Sequence, residues 1–186
     1  MLAIPFMEMS APAAAATLDT SPKSFAAFYE QALPQVYGYF LYRCGGSAVI
    51  AEDLTQETFL AAVVELKKGK RVRQPSAWIH GIARHKLLDH YRREQHADRQ
   101  LTVTSTAEEI DAETPAGSDE SEARDRAIAA LSAVAASQRA ALVLCYVDGY
   151  SVPEAAGLLG KSTEAVESLL ARGRQTFKRS YLKEQE

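Results

Sequence analysis

Apolar positions recur every three to four residues along most of this chain, and nowhere do they alternate. Phe25, Phe28, Tyr29, Leu33, Val36, Tyr37, Phe40, Leu41 and Cys44 follow helical spacing. Pro34 should bend that helix. Gly45-Gly46 should end it, with Ser47 placed to cap the next. The second helix is expected to reach about Leu66, with Ile50, Leu54, Ala61 and Val64 turned inward. A basic loop, Lys67 to Gln74, follows. Pro75 suits the first turn of a third helix reaching about Gln95, with Trp78, Ile82, Leu87 and Leu88 inside. Periodicity then stops. Residues 97–120 are rich in Thr, Ser, Ala and acids and carry Pro115 and Gly117, the composition of a flexible linker. It resumes near Ser121, where Ile128, Leu131, Val134 and Ala135 mark one helix and Arg139 to Val147 another, closed by Asp148-Gly149. The expected fold class is all-α: two small helical domains, 23–96 and 121–186, joined by a flexible linker over 97–120 and preceded by a disordered tail over 1–22.

The end of the chain has the most specific pattern. Ser151-Val152-Pro153-Glu154 reads as a capping box with Pro inside the first helical turn. Val152, Ala155, Ala156 and Leu159 form an apolar stripe. Gly160-Lys161-Ser162 is a turn, with Ser162 as the next N-cap. Val166, Leu170, Gly173 and Phe177 then form the buried face of a longer helix. Its outer face offers Thr163, Glu164, Glu167, Ser168, Arg172, Arg174, Gln175, Lys178 and Arg179. A short capped helix, a tight Gly turn and a basic second helix make a helix-turn-helix that reads duplex DNA. An ordinary helical hairpin is the plainer alternative.

Charge changes the picture only when it is followed along the chain. The net charge of −3 argues against a nucleic-acid partner. Its distribution argues for one: residues 66–100 carry +7, residues 101–126 carry −6, and residues 157–186 carry +2. Two nucleic-acid-facing pieces joined by an acidic connector fit that asymmetry. The third helix sharpens it. Arg84, His85, Lys86, Arg92 and Arg93 supply phosphate donors, and Trp78 and Tyr91 offer flat rings. Cations interleaved with aromatics suit a single strand with unstacked bases, although core packing is an equal reading for Trp78.

Other chemistry finds little support. There is no Gly-rich phosphate loop, nucleophile elbow or Cys/His cluster, so no catalytic residue and no cofactor are expected. His80, His85, His90 and His96 all lie in or just after the third helix, but a spacing of five scatters neighbours around it. Only His85 and Asp89 share a face, too few ligands for a metal. A surface ladder His85–Asp89–Arg93 is the better expectation. Cys44 and Cys145 are expected to be buried, reduced thiols. No apolar run is long enough to span a membrane. The N-terminal Ala-Pro run lacks a basic n-region and Glu8 interrupts it, so a secretory signal is not expected and a cytoplasmic location is.

Three motifs in order resemble bacterial RNA polymerase sigma factors of the extracytoplasmic-function group, which keep only regions 2 and 4. Ala51-Glu52-Asp53-Leu54-Thr55-Gln56-Glu57-Thr58-Phe59 is similar to that family's polymerase-binding motif. Trp78-Ile79-His80-Gly81-Ile82-Ala83-Arg84 through Asp89-His90-Tyr91-Arg92-Arg93 is similar to its −10 segment. Gly149-Tyr150-Ser151-Val152-Pro153-Glu154 through Arg172-Gly173-Arg174 is similar to its −35 helix-turn-helix. The resemblance implies a non-enzymatic subunit of core RNA polymerase. Asp53, Gln56, Glu57 and Phe59 would meet the β′ clamp helices. Lys67, Lys68, Lys70, Arg71 and Arg73 would line the loop that captures a flipped −10 base. Trp78, Arg84, His85, Lys86, Tyr91, Arg92 and Arg93 would hold the single-stranded −10 element. Ser162, Thr163, Glu164, Glu167, Ser168, Arg172, Arg174 and Lys178 would meet the −35 duplex, and their domain the β flap. An anti-sigma factor is the implied inhibitor. Two features depart from the family's pattern: His85 stands where Asn is frequent, and Glu167 and Leu169 stand where Lys and Arg are common. A ligand-sensing helix-turn-helix regulator that needs no polymerase, and a metal-dependent enzyme using His85 and Asp89, stay open beside the sigma reading.

Overall fold

The computed structural model describes residue 18, residues 21–100 and residues 119–183. Seven α-helices make up the described chain: α1 (Pro22–Arg43), α2 (Ala48–Lys67), α3 (Pro75–Gln100), α4 (Asp119–Ser132), α5 (Ala136–Leu142), α6 (Val152–Leu159) and α7 (Thr163–Lys183). Among the described residues there is no strand, only one antiparallel bridge between Leu18 and Val72. The all-α expectation holds. Of the expected linker, residues 97–100 continue α3, Asp119 and Glu120 open α4, and residues 101–118 lie outside the described chain. Of the expected tail, residues 1–17, 19 and 20 also lie outside it, Leu18 is buried and backbone-paired, and Pro22 already opens α1. No helix among the described residues is long and apolar enough to cross a membrane.

Two compact units divide the chain. Among the described residues, the first holds 18, 21–40 and 49–87, and the second 41–48, 88–100 and 119–183.

In the first unit the core is built from one face each of three helices. α1 runs through Pro34 and buries Ala32, Val36 and Phe40. α2 buries Ala51, Leu54, Thr55, Thr58, Phe59, Ala62 and Leu66. α3 contributes Ile79, Ala83 and Leu87. The expected inner faces are therefore rotated. Val64, placed inside by its spacing, is 51% exposed. Thr55 and Thr58 are buried in its stead, each hydroxyl donating to the carbonyl four residues back, Ala51 at 2.6 Å and Leu54 at 2.7 Å. That local bond removes the cost of burying a hydroxyl. On α3 the inner row is 79, 83 and 87, while Trp78 and Ile82 are only half-buried.

In the second unit α7 packs along α4, α5 and α6. α5 does not continue as an α-helix to Val147. Val143–Val147 is a π-helical turn, in which the Asp148 N–H donates to the Val143 carbonyl at 2.9 Å. The turn leaves Tyr146 on the surface, 56% exposed. Asp148 accepts two bonds from Arg43, at 3.1 and 2.6 Å.

Candidate nucleic-acid interface

Ser151 caps α6 by accepting from the Glu154 N–H, and Glu154 returns a carboxylate to the Ser151 N–H at 2.8 Å. The Ser151 hydroxyl, and then the Ser151 backbone N–H, donate to the Glu154 carboxylate and hold it below the usual carboxylate range. The helix closes on Gly160, whose φ of +62° is the left-handed cap that favours glycine. The next amide, Lys161, donates to the Ala156 carbonyl at 2.9 Å. Ser162 then caps α7 by accepting from Ala165 at 3.2 Å. Glu164 sits in the first turn of α7, where its own N–H, and then the Ser162 hydroxyl, lower its pKa. Caps on both sides of one glycine leave α6 and α7 little angular freedom.

α7 is divided cleanly by face. Val166, Leu169, Leu170 and Gly173 are buried. Ser162, Glu164, Glu167, Ser168, Arg172, Arg174 and Lys178 are exposed, and Thr163 is half-buried. Leu169 therefore belongs to the core, and its apparent departure from a basic recognition face is corrected: a leucine there closes the domain. Glu167 remains on the exposed face. Phe177, expected inside, is half-buried and stacked on Tyr181 with centroids 5.7 Å apart. Arg172 donates to the Ser168 carbonyl at 3.3 Å, and Arg174 to the Tyr146 hydroxyl at 3.2 Å. Tyr146 thus joins the basic face, a residue that helical spacing alone would bury.

The basic–aromatic helix α3 is only partly a surface. Arg84, His85, Arg92 and Arg93 are exposed. Tyr91 is not: it is 1% exposed, and its hydroxyl donates to the Arg43 carbonyl at 3.0 Å. Tyr91 is corrected from a stacking platform to a core residue whose polar end is satisfied. Trp78 is half-buried under Lys70, whose ammonium lies 5.8 Å from the ring centre. Lys86 is ion-paired with Glu57 at 2.9 Å, so one residue of each implied surface is tied to the other. Arg92 donates to Asp89 at 3.2 Å and to the Leu158 carbonyl at 2.9 Å. The Asp89–Arg92 pair replaces the expected His85–Asp89–Arg93 ladder. Lys67, Lys68, Lys70, Arg71 and Arg73 are all exposed around the α2–α3 loop. No group of three metal-ligating side chains occurs among the described residues.

α2 presents the third surface. Asp53 and Gln56 are exposed, whereas Phe59 is 6% exposed and stands edge-on to Tyr29 at 4.7 Å. Phe59 is thereby corrected from a partner contact to core. Val49, Leu60 and Val64 are 71, 66 and 51% exposed and fall on the same helical stripe as Asp53 and Gln56. Three large apolar side chains bared beside Asp53 and Gln56 on one helix face are the composition of a protein-binding surface.

Residues 28–97 match the family model for sigma-70 region 2, and residues 124–177 that for sigma-70 region 4. Over 155 residues the chain is 30% identical to the RNA polymerase sigma factor CarQ of Myxococcus xanthus, covering 83% of this chain and 87% of CarQ. The chain belongs to the sigma-70 family, in its extracytoplasmic-function group. It is 34% identical over 166 residues to the sigma factor BldN of Streptomyces coelicolor, covering 84% of this chain and 60% of BldN. To SigE of Mycolicibacterium smegmatis it is 34% identical over 153 residues, covering 76% of this chain and 55% of SigE. The chain thus spans little more than half the length of these two relatives. The region 2 match takes in α2, the basic loop and α3 up to residue 97. The region 4 match takes in α5, α6 and most of α7. As a class, sigma factors are not enzymes.

Proposed function

We propose that this chain is a dissociable, non-enzymatic subunit that joins core RNA polymerase in the cytoplasm and directs it to promoters. The carrying observation is the pair of faces that the two matched regions leave exposed: the apolar–acidic stripe of α2 and the basic outer face of α7. On this reading residues 23–96 act as region 2 and residues 121–186 as region 4. Asp53 and Gln56, with Val49, Leu60 and Val64, bind the β′ clamp helices. Lys67, Lys68, Arg71 and Arg73 of the loop, with Arg84, His85 and Arg93 of α3, hold the single-stranded −10 element. Glu164, Glu167, Ser168, Arg172, Arg174 and Lys178 meet the −35 duplex. Arg and Lys contact phosphates there, and Glu167 is chemically suited to accept from a cytosine amino group. The β flap and an anti-sigma factor complete the partners.

Run-off transcription with purified core polymerase tests this. Wild-type chain should confer promoter-dependent transcripts. Leu60→Glu should weaken core binding by about 1–3 kcal/mol, the range for an interface anchor. Asp53→Ala with Gln56→Ala should weaken it as well. Reversing charge at Arg172 and Arg174 should lower −35 binding with core binding intact. Duplex binding without polymerase, together with no affinity for core, would instead make the chain a helix-turn-helix regulator.

A further inference from the structure

The loop between α2 and α3 carries Lys68, Lys70, Arg71 and Arg73 within six residues. Like charges at that density repel, and such a loop has no local reason to keep one shape. Three fastenings hold it. At its start the Lys68 and Gly69 N–H groups donate back to the Glu65 and Leu66 carbonyls, at 3.2 and 2.9 Å. In its middle Lys70 pairs with Glu65 at 3.0 Å and covers the Trp78 ring. The third fastening comes from outside the loop. Leu18 and Val72 exchange both backbone hydrogen bonds, Leu18 N–H to Val72 at 2.9 Å and Val72 N–H to Leu18 at 3.4 Å. Leu18 is 2% exposed and Val72 5%, in a cluster with Leu66, Phe25, Phe28 and Trp78.

The bridge dictates which way the loop's cations face. Side chains alternate across an extended backbone. With Val72 turned in against Leu18, its neighbours Arg71 and Arg73 are turned out, and both are exposed. Leu18 thus stands behind the two guanidiniums that follow the Lys70 clamp. It also lies ten residues before the region 2 match begins.

We propose that Leu18 is a positioning residue for promoter melting: its backbone bridge and buried side chain hold the α2–α3 loop in the shape presenting Arg71 and Arg73 to the unpaired −10 strand. The inference rests on the sigma reading. Leu18 touches no nucleic acid itself. It acts through Val72, and removing it frees the two arginines from a common direction.

Five proteins, each assembled with core polymerase, test this: wild type, Leu18→Asp, Leu18→Ile, Arg71→Ala/Arg73→Ala, and Leu18→Asp combined with Arg71→Ala/Arg73→Ala. The readout is permanganate reactivity of unpaired −10 thymines on a promoter that the wild-type holoenzyme opens. Leu18→Asp should bind core as wild type does and lower opening by about tenfold, the scale on which misplaced groups lose function. Leu18→Ile should restore opening to within about twofold of wild type. In the Arg71→Ala/Arg73→Ala background, Leu18→Asp should add less than about twofold, because residues acting through one another are not additive. The same loss in both backgrounds, or wild-type opening by Leu18→Asp, overturns the proposal. Should Leu18→Asp fail to fold, Leu18→Ala in the same cycle decides by the same criterion. A wild-type chain that neither binds core nor opens a promoter refutes the sigma reading itself, and this inference with it.

Discussion

Gly173 sets how closely α7 approaches α5. A Cβ built there would lie 3.1 Å from Leu142 Cδ1, 3.2 Å from Leu142 Cγ and 3.3 Å from Gln138 Cβ. Leu142 is itself buried, so it has little room to yield. Gly173→Val should cost about 2 kcal/mol of unfolding free energy in a denaturant titration, the usual penalty for overfilling a packed site. Gly157 in α6 is the control, with nothing within 4 Å of its Cβ position. Gly157→Ala should stabilise by about 0.5–1 kcal/mol through helix propensity alone. If both glycines respond alike, the close packing of α5 on α7 is wrong. Cys44 makes a second residue-scale case. Burial pushes its thiol up to about 12, against an ordinary value of 9.0. The folded chain therefore keeps a proton that the unfolded chain loses. Stability from this group is complete below about pH 9 and is lost as pH rises toward about 12, by at most ~1.4 kcal/mol per pH unit. Cys44→Ala should be less sensitive to alkali over that window. An equal slope in both proteins would show that the thiol is not buried.

At the scale of elements, the ends of helices were easier to read than their faces. Ser151, Glu154, Gly160 and Ser162 each do in the structure what their residue types suggest, because a cap is a local bond between near neighbours. Ser151→Ala should accordingly cost about 1 kcal/mol of domain stability, measured by thermal unfolding. The lowered pKa of Glu154 adds a pH dependence with a definite sign. Its contribution is present above the unfolded carboxylate range and is lost as pH falls through its depressed folded value. Glu154→Gln should remove that acid-side loss, and an unchanged acid limb would count against the capping box. Faces are a different matter. α2 carries apolar residues nearly all the way round, so periodicity put Val64 inside, where the structure has Thr55 and Thr58. The threonines can be buried because each back-bonds within its own helix, a device that hydropathy does not register. The same blindness hid Val49 and Leu60 as surface residues. Tyr91 fails for the opposite reason: an aromatic next to charges in sequence reads as a platform, and only the fold decides whether it faces out. Phe59 is a partner contact only by family resemblance, and its burial against Tyr29 is a matter of the fold. Leu18 was illegible because its partner lies 54 positions away and the bond is made by backbone. The π-helical turn that lifts Tyr146 to the surface left no mark in the spacing of Arg139 to Val147.

At the scale of the whole molecule, the positive charge is gathered in two places while the net charge stays at −3. The stretch 66–100 carries +7 and the stretch 157–186 only +2, the latter concentrated on the outer face of α7. If the first stretch meets a single strand and the second a duplex, salt should distinguish them. Counterion release gives a slope of log affinity against log salt of about −0.7 per neutralised phosphate for a single strand and about −0.9 for duplex DNA. Removing two cations from the α2–α3 loop, as Arg71→Ala/Arg73→Ala, should flatten the slope by about 1.4 for holoenzyme binding to a −10 non-template oligonucleotide. It should leave the slope on an upstream duplex bearing only the −35 element unchanged. Arg172→Ala/Arg174→Ala should do the reverse, flattening the duplex slope by about 1.8 and sparing the oligonucleotide. Because the two pairs of residues lie on different compact units, their effects on a complete promoter should add in free energy. Slopes that fail to separate by probe would mean that the two basic regions serve one site, and the division of labour between region 2 and region 4 would have to be abandoned for this chain.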